Sequence, residues 1–383
     1  MAHFSMPSHV LIGDKALEES MDILKSFGKK ALIVTGPHVG KSFKIEELKA
    51  ILDRAGIRYT VFDHINAEPT VDMIHDGAEV YKHSESDFVI GIGGGSPLDA
   101  AKAIVVAAKD SRPLSAHMGK EIAGDLPKIV AIPTTSGTGS EATKFTVITD
   151  TKTDIKMLLK GEALIPDLAI INPTFSAEMP QSVIASTGID ALTHAVEAYT
   201  SRRASALTDT FAVSAVKRIM KYLPESYMTD SKEAKEQMSL AAFEAGVCIN
   251  NSSVTIVHGM SRPIGALFHV PHGISNAMLI VECLKFAADG AISKFANLAR
   301  ECGFASVDES DSMATTKFLD EIEKVCQVCE VPTLKKYGID EKEFLNVVEK
   351  MASDAVASGS PGNTVKTVTE ADCIDIYRKV ISK

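Results

Sequence analysis

No stretch of this 383-residue chain approaches the roughly 18 uninterrupted apolar residues of a membrane-spanning helix, so no span is expected. Basic residues are also the minority charge. Forty Lys and Arg stand against 50 Asp and Glu, a net charge of −10, which disfavours nucleic acid or an anionic membrane surface as partner. Met1 to Gly13 lack a basic region followed by an apolar run, so no secretion signal is read and a cytoplasmic protein is expected. Cysteine is sparse. The six residues Cys248, Cys283, Cys302, Cys326, Cys329 and Cys373 fit reduced, mostly buried thiols better than a disulfide framework. Cys326 and Cys329 form a C-x-x-C, but no second pair completes a zinc ribbon and no strand precedes it as in a thioredoxin-type motif. The pair reads as two small apolar residues at a helix end before Val331-Pro332.

What the chain does have is a globular balance, 45% apolar and 23% charged, with a length that suggests about two domains. Its first half alternates strand-like and helix-like segments. Lys30–Thr35, Arg58–Phe62, Asp87–Ile92 and Ile129–Ile132 read as strands; Lys44–Ala55 and Thr70–His83 read as helices. Val147–Thr149 and Leu168–Ile171 continue the strand signals up to Asn172-Pro173. Such alternation predicts βαβ units and a mostly parallel sheet. After Met179-Pro180 the spacing turns helical, in Ile189–Thr200, Thr208–Tyr222, Glu233–Cys248 and Ala291–Cys302. The expected organisation is an α/β domain over 1–180 and an all-α domain over 181–383.

In the first half the strongest signal is Gly91-Ile-Gly-Gly-Gly-Ser-Pro-Leu-Asp99, where a buried strand ends, glycines turn the chain and a helix begins. Ser96 fits the N-cap, Pro97 the first helical position and Asp99 the third, bonding back to the cap. Gly93, Gly94 and Gly95 let backbone N–H groups approach a ligand, and the helix dipole behind them favours an anion such as a diphosphate. The alternative is a well-capped tight turn with no ligand. The dinucleotide fingerprint G-x-G-x-x-G is not met, because position 96 is Ser and no acidic residue follows about 20 positions on. Gly36-Pro-His-Val-Gly-Lys-Ser42 imitates a P-loop but is one residue short between its glycines. Thr134-Thr-Ser-Gly-Thr-Gly-Ser-Glu141 is a second polar loop after a strand, suited to ribose or phosphate contacts at the carboxyl ends of parallel strands.

Metal-binding residue types collect in the second half. Asp190 and His194 lie one turn apart on one helix face, in a helix expected to begin at Thr187. With His258 and His272 they make a four-ligand set for a divalent transition metal such as Fe(II) or Zn(II). Spacing alone leaves alternatives open: Asp190 completing a capping box with Thr187, and each histidine a satisfied core residue.

Taken together, these segments resemble the iron-containing (group III) alcohol dehydrogenase family over essentially the whole chain. The resemblance rests on Gly93-Gly-Gly-Ser-Pro-Leu-Asp-Ala-Ala-Lys102, Pro133–Thr143, Asp190-Ala-Leu-Thr-His-Ala-Val-Glu-Ala-Tyr199, and His258-Gly-Met with Pro271-His-Gly273. It implies a Rossmann-like N-terminal domain and a helical C-terminal domain, dehydroquinate synthase-like in plan, with a cleft between them. It implies Asp190, His194, His258 and His272 as metal ligands. Gly94, Gly95, Ser96, Asp99, Thr134, Thr135, Thr138 and Lys156 follow as cofactor neighbours, Lys156 being the cation nearest the nucleotide. The activity implied is hydride transfer between NAD(P)(H) and a small alcohol or aldehyde, aided by the metal as Lewis acid, in a homodimer. A lyase of the dehydroquinate synthase type and a non-catalytic nucleotide sensor are the rival readings. The first lacks an evident cationic cluster, and the second has no need of both a metal set and cofactor loops.

Two departures from the family pattern bear on specificity. Many members carry Asp directly after the strand equivalent to Ala31–Thr35, where it repels a 2′-phosphate; here the residue is Gly36. With His38 and Lys41 close by, this favours NADP(H), with NAD(H) still open; the alternative is that Gly36 only serves the turn before Pro37. Many members also carry His where this chain has Arg262, one turn after the third ligand. Arginine cannot relay a proton, so Arg262 is read as a clamp for an anionic substrate group, or else as one half of a structural ion pair. Pro263 disfavours a helical conformation at Arg262. His269 is a candidate local proton relay, with a stacked structural histidine as the alternative.

Overall fold

Apolar runs rich in β-branched residues form a parallel sheet buried on both faces, as helix-covered sheets require. The computed structural model describes residues 3–153 and 155–383. They fall into two compact units, one spanning Ser5–Glu178, the other Met179–Lys383 together with the start of the chain.

The first unit holds β1 (His9–Ile12), β2 (Lys30–Val34), β3 (Arg58–Phe62), β4 (Phe88–Gly93), β5 (Ile129–Pro133), β6 (Phe145–Asp150), β7 (Ile155–Lys160) and β8 (Leu168–Ile171). Six of them build one sheet in the order β1-β8-β5-β4-β2-β3, every pair parallel. Side chains alternate between two cores: Ala31 and Ile33 join Ile90, Ile92 and Ile132 on one face, while Leu32 and Val34 join Val89 and Ile129 on the other. Helices α1 (Phe43–Ala55), α2 (Val71–His83) and α3 (Gly95–Lys109) follow β2, β3 and β4. The register pairs Val34 with Gly91 and Gly93 with Pro133. The turns leaving β2, β4 and β5 therefore lie side by side at the carboxyl edge of the sheet, where ligands of such sheets bind. β6 and β7 form a separate antiparallel hairpin. β1 and β7 carry no expectation from the sequence.

The second unit is helical: α4 (Gln181–Tyr199), α5 (Ala206–Met228), α6 (Lys232–Asn251), α7 (Ile256–Phe268), α8 (His272–Ala287), α9 (Ile292–Glu301), α10 (Asp311–Val328), α11 (Val348–Ala357) and α12 (Glu370–Ile381), with shorter turns between. One continuous apolar core runs through it. α4 begins at Gln181, well before Thr187, because the apolar face already starts at Val183 and Ile184; Thr187 Oγ1 donates to the Val183 carbonyl at 2.8 Å. The capping-box alternative for Asp190 is thereby excluded: Asp190 lies in the helix interior. All six cysteines are free, with Cys326 and Cys329 buried at the end of α10. Among the described residues no single helix is long and apolar enough to cross a membrane.

Candidate metal centre and cofactor loops

Three helices bring four ligand side chains to one point in the helical unit. Asp190 and His194 share a face of α4, His258 is in the first turn of α7, and His272 opens α8. One ligand atom from each lies within 4.8 Å of all the others. Asp190 Oδ1 is 3.8, 3.6 and 3.7 Å from Nε2 of His194, His258 and His272 respectively. The rings of His194 and His258 stack at 4.7 Å, and His258 and His272 meet at 5.2 Å. One carboxylate oxygen and three imidazole nitrogens facing inward at this spacing are a donor set that fits Fe(II) or Zn(II). Nε2 of each ring faces the same carboxylate oxygen, an arrangement that a shared metal accounts for better than three separate core histidines.

A second carboxylate supports the site. Glu197 is fully buried two turns after Asp190. Its Oε1 accepts from Thr255 Oγ1 at 2.7 Å and Val257 N at 2.6 Å, while Oε2 accepts from His258 Nδ1 at 2.6 Å. One side chain thus caps the start of α7 and holds the His258 ring with Nε2 facing inward. Burial opposes charge on His258, but Glu197 and Asp190 outweigh it and push its pKa up to about 9. Burial would also raise Asp190, yet the surrounding imidazoles hold it well below the usual carboxylate range. His272 is pushed down to about 4, first by desolvation and then by His258, His194 and Arg262, against the pull of Asp190. Glu197 lies in a segment singled out from the sequence, but nothing local marks its role; only the fold brings Thr255 and His258 to it.

Arg262 stands one turn after His258 on α7, exposed, with no hydrogen bond or ion pair among the described residues. The ion-pair alternative is therefore not met. Pro263 sits inside α7, which runs on through it, so the expected departure of Arg262 from helical geometry does not occur. His269 ends α7 in the left-handed region, φ 53°, exposed and without a ring partner among the described residues. It is not the stacked structural histidine considered above, and no hydrogen bond or ring contact among the described residues holds it toward the four ligands.

The candidate cofactor loops follow the sheet. Gly94, not Ser96, is the N-cap of α3, and no side chain among the described residues caps the helix. The capping-box expectation for Asp99 is likewise corrected. Its carboxylate accepts from Ser140 Oγ at 2.6 Å and Val147 N at 2.9 Å, tying α3 to the second loop and the hairpin. The local Ser-Pro-x-Asp signal was outweighed by these long-range partners. Gly93, at φ +150°, lets the turn close on Pro97, while Gly94 and Gly95, where an added Cβ would lie 3.5 Å from Thr135 and 3.0 Å from Thr138, pack it against the Thr-rich loop. Thr134 Oγ1 has no partner among the described residues, Thr135 Oγ1 is buried without one, and Thr138 Oγ1 accepts from Ser140 N at 3.4 Å. An uncapped helix start beside an orphaned hydroxyl fits a diphosphate and ribose.

Behind this loop Lys102 is fully buried, its three N–H groups shared among five oxygens of Ser140, Thr143 and Phe145 at 2.7–3.1 Å from Nζ. Desolvation lowers it to about 8 against Asp99 and Glu141. Glu141, also buried, is pushed up to about 7 by desolvation. Neither was singled out from the sequence for this role. Gly36 has a packing cause: an added Cβ would lie 2.6 Å from the Ile65 carbonyl. His38 and Lys41 are exposed nearby in sequence, without partners among the described residues. Lys156, paired opposite Thr149, makes an ion pair with Glu68 at 2.6 Å and is thus a partnered cation.

Residues 7–173 match the model for iron-containing alcohol dehydrogenase, and 184–381 that for its C-terminal part. The chain belongs to the iron-containing alcohol dehydrogenase family. It is 34% identical to an NADPH-dependent butanol dehydrogenase of Clostridium saccharobutylicum, over 99% of this chain and 98% of that one. A solved 1,3-propanediol oxidoreductase superposes with TM-score 0.95 at 30% identity, over 99% of this chain and 100% of the other. A sulfoacetaldehyde reductase of Bifidobacterium kashiwanohense, solved with NAD+, gives 0.89 at 26% identity, over 100% and 99%.

Proposed function

We propose that this family member is a metal-dependent oxidoreductase interconverting a small alcohol and its aldehyde, preferentially one bearing an anionic group. The observation that carries the reading is the convergence of Asp190, His194, His258 and His272 on one point. Bound there, Fe(II) or Zn(II) supplies Lewis acidity toward the substrate oxygen, while NADP(H) or NAD(H) supplies the hydride acceptor or donor. Every further contribution comes from the protein. Glu197 holds His258 in the tautomer that a metal ligand needs. The first unit serves as the dinucleotide-binding domain: free amides at Gly95 and Ser96 take the diphosphate, and hydroxyls of Thr134, Thr135 and Thr138 line the ribose side. Asp99 and Lys102 act as positioning residues for that loop. Lys156 serves the nucleotide only by leaving Glu68. Lys41 and His38, exposed after β2 where Gly36 brings no carboxylate, favour NADP(H).

Arg262 is the basis for the anionic preference. Its guanidinium has no ion-pair partner among the described residues, and its charge is felt at His272. A planar donor fork one turn from a ligand suits a carboxylate, sulfonate or phosphonate, and the sulfoacetaldehyde reductase relative acts on such an aldehyde by name. A reducing cytoplasm suits six free cysteines. The open edge at β1, where Ile12 is exposed, offers a second copy a strand to pair with in a homodimer.

The test is NADPH and NADH oxidation against matched neutral and anionic aldehydes. The reading expects turnover with the anionic aldehydes ahead; turnover with neutral aldehydes alone removes the clamp, and none with any aldehyde removes the activity.

A further inference from the structure

Asn276 sits one helical turn after His272 on α8, fully buried. Its Nδ2 donates to Asp190 Oδ1 at 2.7 Å and lies 3.1 Å from His258 Nε2 and 3.2 Å from His272 Nε2. One amide nitrogen therefore touches three of the four ligand atoms. The other end of the same amide, Oδ1, is buried without a hydrogen-bond partner. A buried carbonyl oxygen carries its full desolvation cost when no donor meets it.

The two halves of this observation have one explanation. Without metal the inward lone pairs of the Asp190 carboxylate need a donor, and the Nδ2 hydrogens provide one. A divalent cation among the same atoms reverses the preference. The N–H2 end then points positive charge at the ion, whereas the carbonyl end points negative charge, and oxygen is a suitable donor for Fe(II) and Zn(II). The amide ends have nearly the same shape, so rotation about the last side-chain torsion exchanges them in place.

We propose that Asn276 is a metal-responsive amide: Nδ2 gathers the ligand side chains before metal binds, and on binding the amide turns to offer Oδ1 to the ion as a further ligand. This rests on the four-residue reading of the metal site. It assigns a role to a side chain outside that set and explains an otherwise stranded oxygen.

Two substitutions separate this from a static hydrogen bond to Asp190. Asn276→Leu removes both amide ends; Asn276→Asp places oxygen at both. The metal-free proteins are titrated with Co(II) against a competing chelator and their visible absorption recorded, after circular dichroism has shown each to be folded. The proposal expects Asn276→Leu to weaken Co(II) binding about tenfold or more and to shift the spectrum toward the more intense bands of four-coordinate cobalt. Asn276→Asp should bind at least as tightly as the parent chain, with little spectral change. If the donor end is what the loaded site uses, Asn276→Asp weakens binding through repulsion of Asp190, and the proposal is overturned. Parent-like affinity and spectrum in Asn276→Leu overturn it equally. If the parent chain takes up no Co(II), the metal-site reading falls first and takes this inference with it.

Discussion

Nδ1 of His258 donates to the Glu197 carboxylate at 2.6 Å, while the opposite nitrogen of the same ring faces Asp190 Oδ1 at 3.6 Å. This carboxylate–histidine relay ties the start of α7 to the ligand cluster. Glu197→Ala removes the relay and the cap together and should weaken metal affinity by about 10–100-fold. Glu197→Gln keeps a hydrogen-bond acceptor and should lose less. Competition with a chelator measures both; equal affinity in all three proteins would show that Glu197 is only a core residue.

Lys102 supports the proposed cofactor loop as a bound cation would. Lys102→Met strands the Ser140, Thr143 and Phe145 carbonyls in a dry interior and should cost about 3–5 kcal/mol of stability. Urea unfolding checks this, with a midpoint near the parent value as the contrary result. The dissociation constant of NADPH should rise in the same variant, because the Thr-rich loop loses its anchor.

Glu141 gives a pH dependence with a definite sign. Its folded-state pKa is raised to about 7 from an ordinary value of 4.5. Between these limits the folded state holds a proton that the unfolded state has lost. Its contribution to stability is therefore fully present below about pH 4.5 and is lost as pH rises through 7. Glu141→Gln escapes that loss. Its melting temperature relative to the parent chain should become more favourable from pH 5 to pH 8; a difference flat in pH would contradict the account.

Arg262→Ala should act on substrate class rather than on the chemical step. kcat/KM for an anionic aldehyde should fall at least tenfold while a neutral aldehyde of equal size changes little. Equal losses on both would assign Arg262 to the general architecture of α7.

Lys41→Ala tests nucleotide choice. An exposed charge acting on a 2′-phosphate is worth little, so NADPH should bind about five-fold more weakly and NADH unchanged. The complementary Gly36→Asp is a poor probe, because its Cβ would meet the Ile65 carbonyl at 2.6 Å.

Much of this was legible in the order of residues because it is local. The strand runs at 30–34, 88–93 and 129–133 carry continuous apolar signals, and Asp190 and His194 show helical spacing without help from the fold. Asp99 misled for the same reason. A local cap pattern was present, but its carboxylate is committed to Ser140 and Val147, more than 40 positions away along the chain. Glu197, Asn276 and Lys102 were unreadable because their partners come from other elements, and an isolated buried polar residue has no signature of its own. β7 was missed because its exposed, lysine-flanked alternation is weak without the hairpin partner that pairs with it.

The most direct test of the central claim is a metal titration of the stripped protein, with binding and aldehyde-dependent NADPH oxidation followed together. The account predicts that activity is absent without metal and saturates at one Fe(II) or Zn(II) per chain, and that His258→Ala abolishes both uptake and turnover. Turnover that survives removal of the metal, or stoichiometric uptake by His258→Ala, would contradict it.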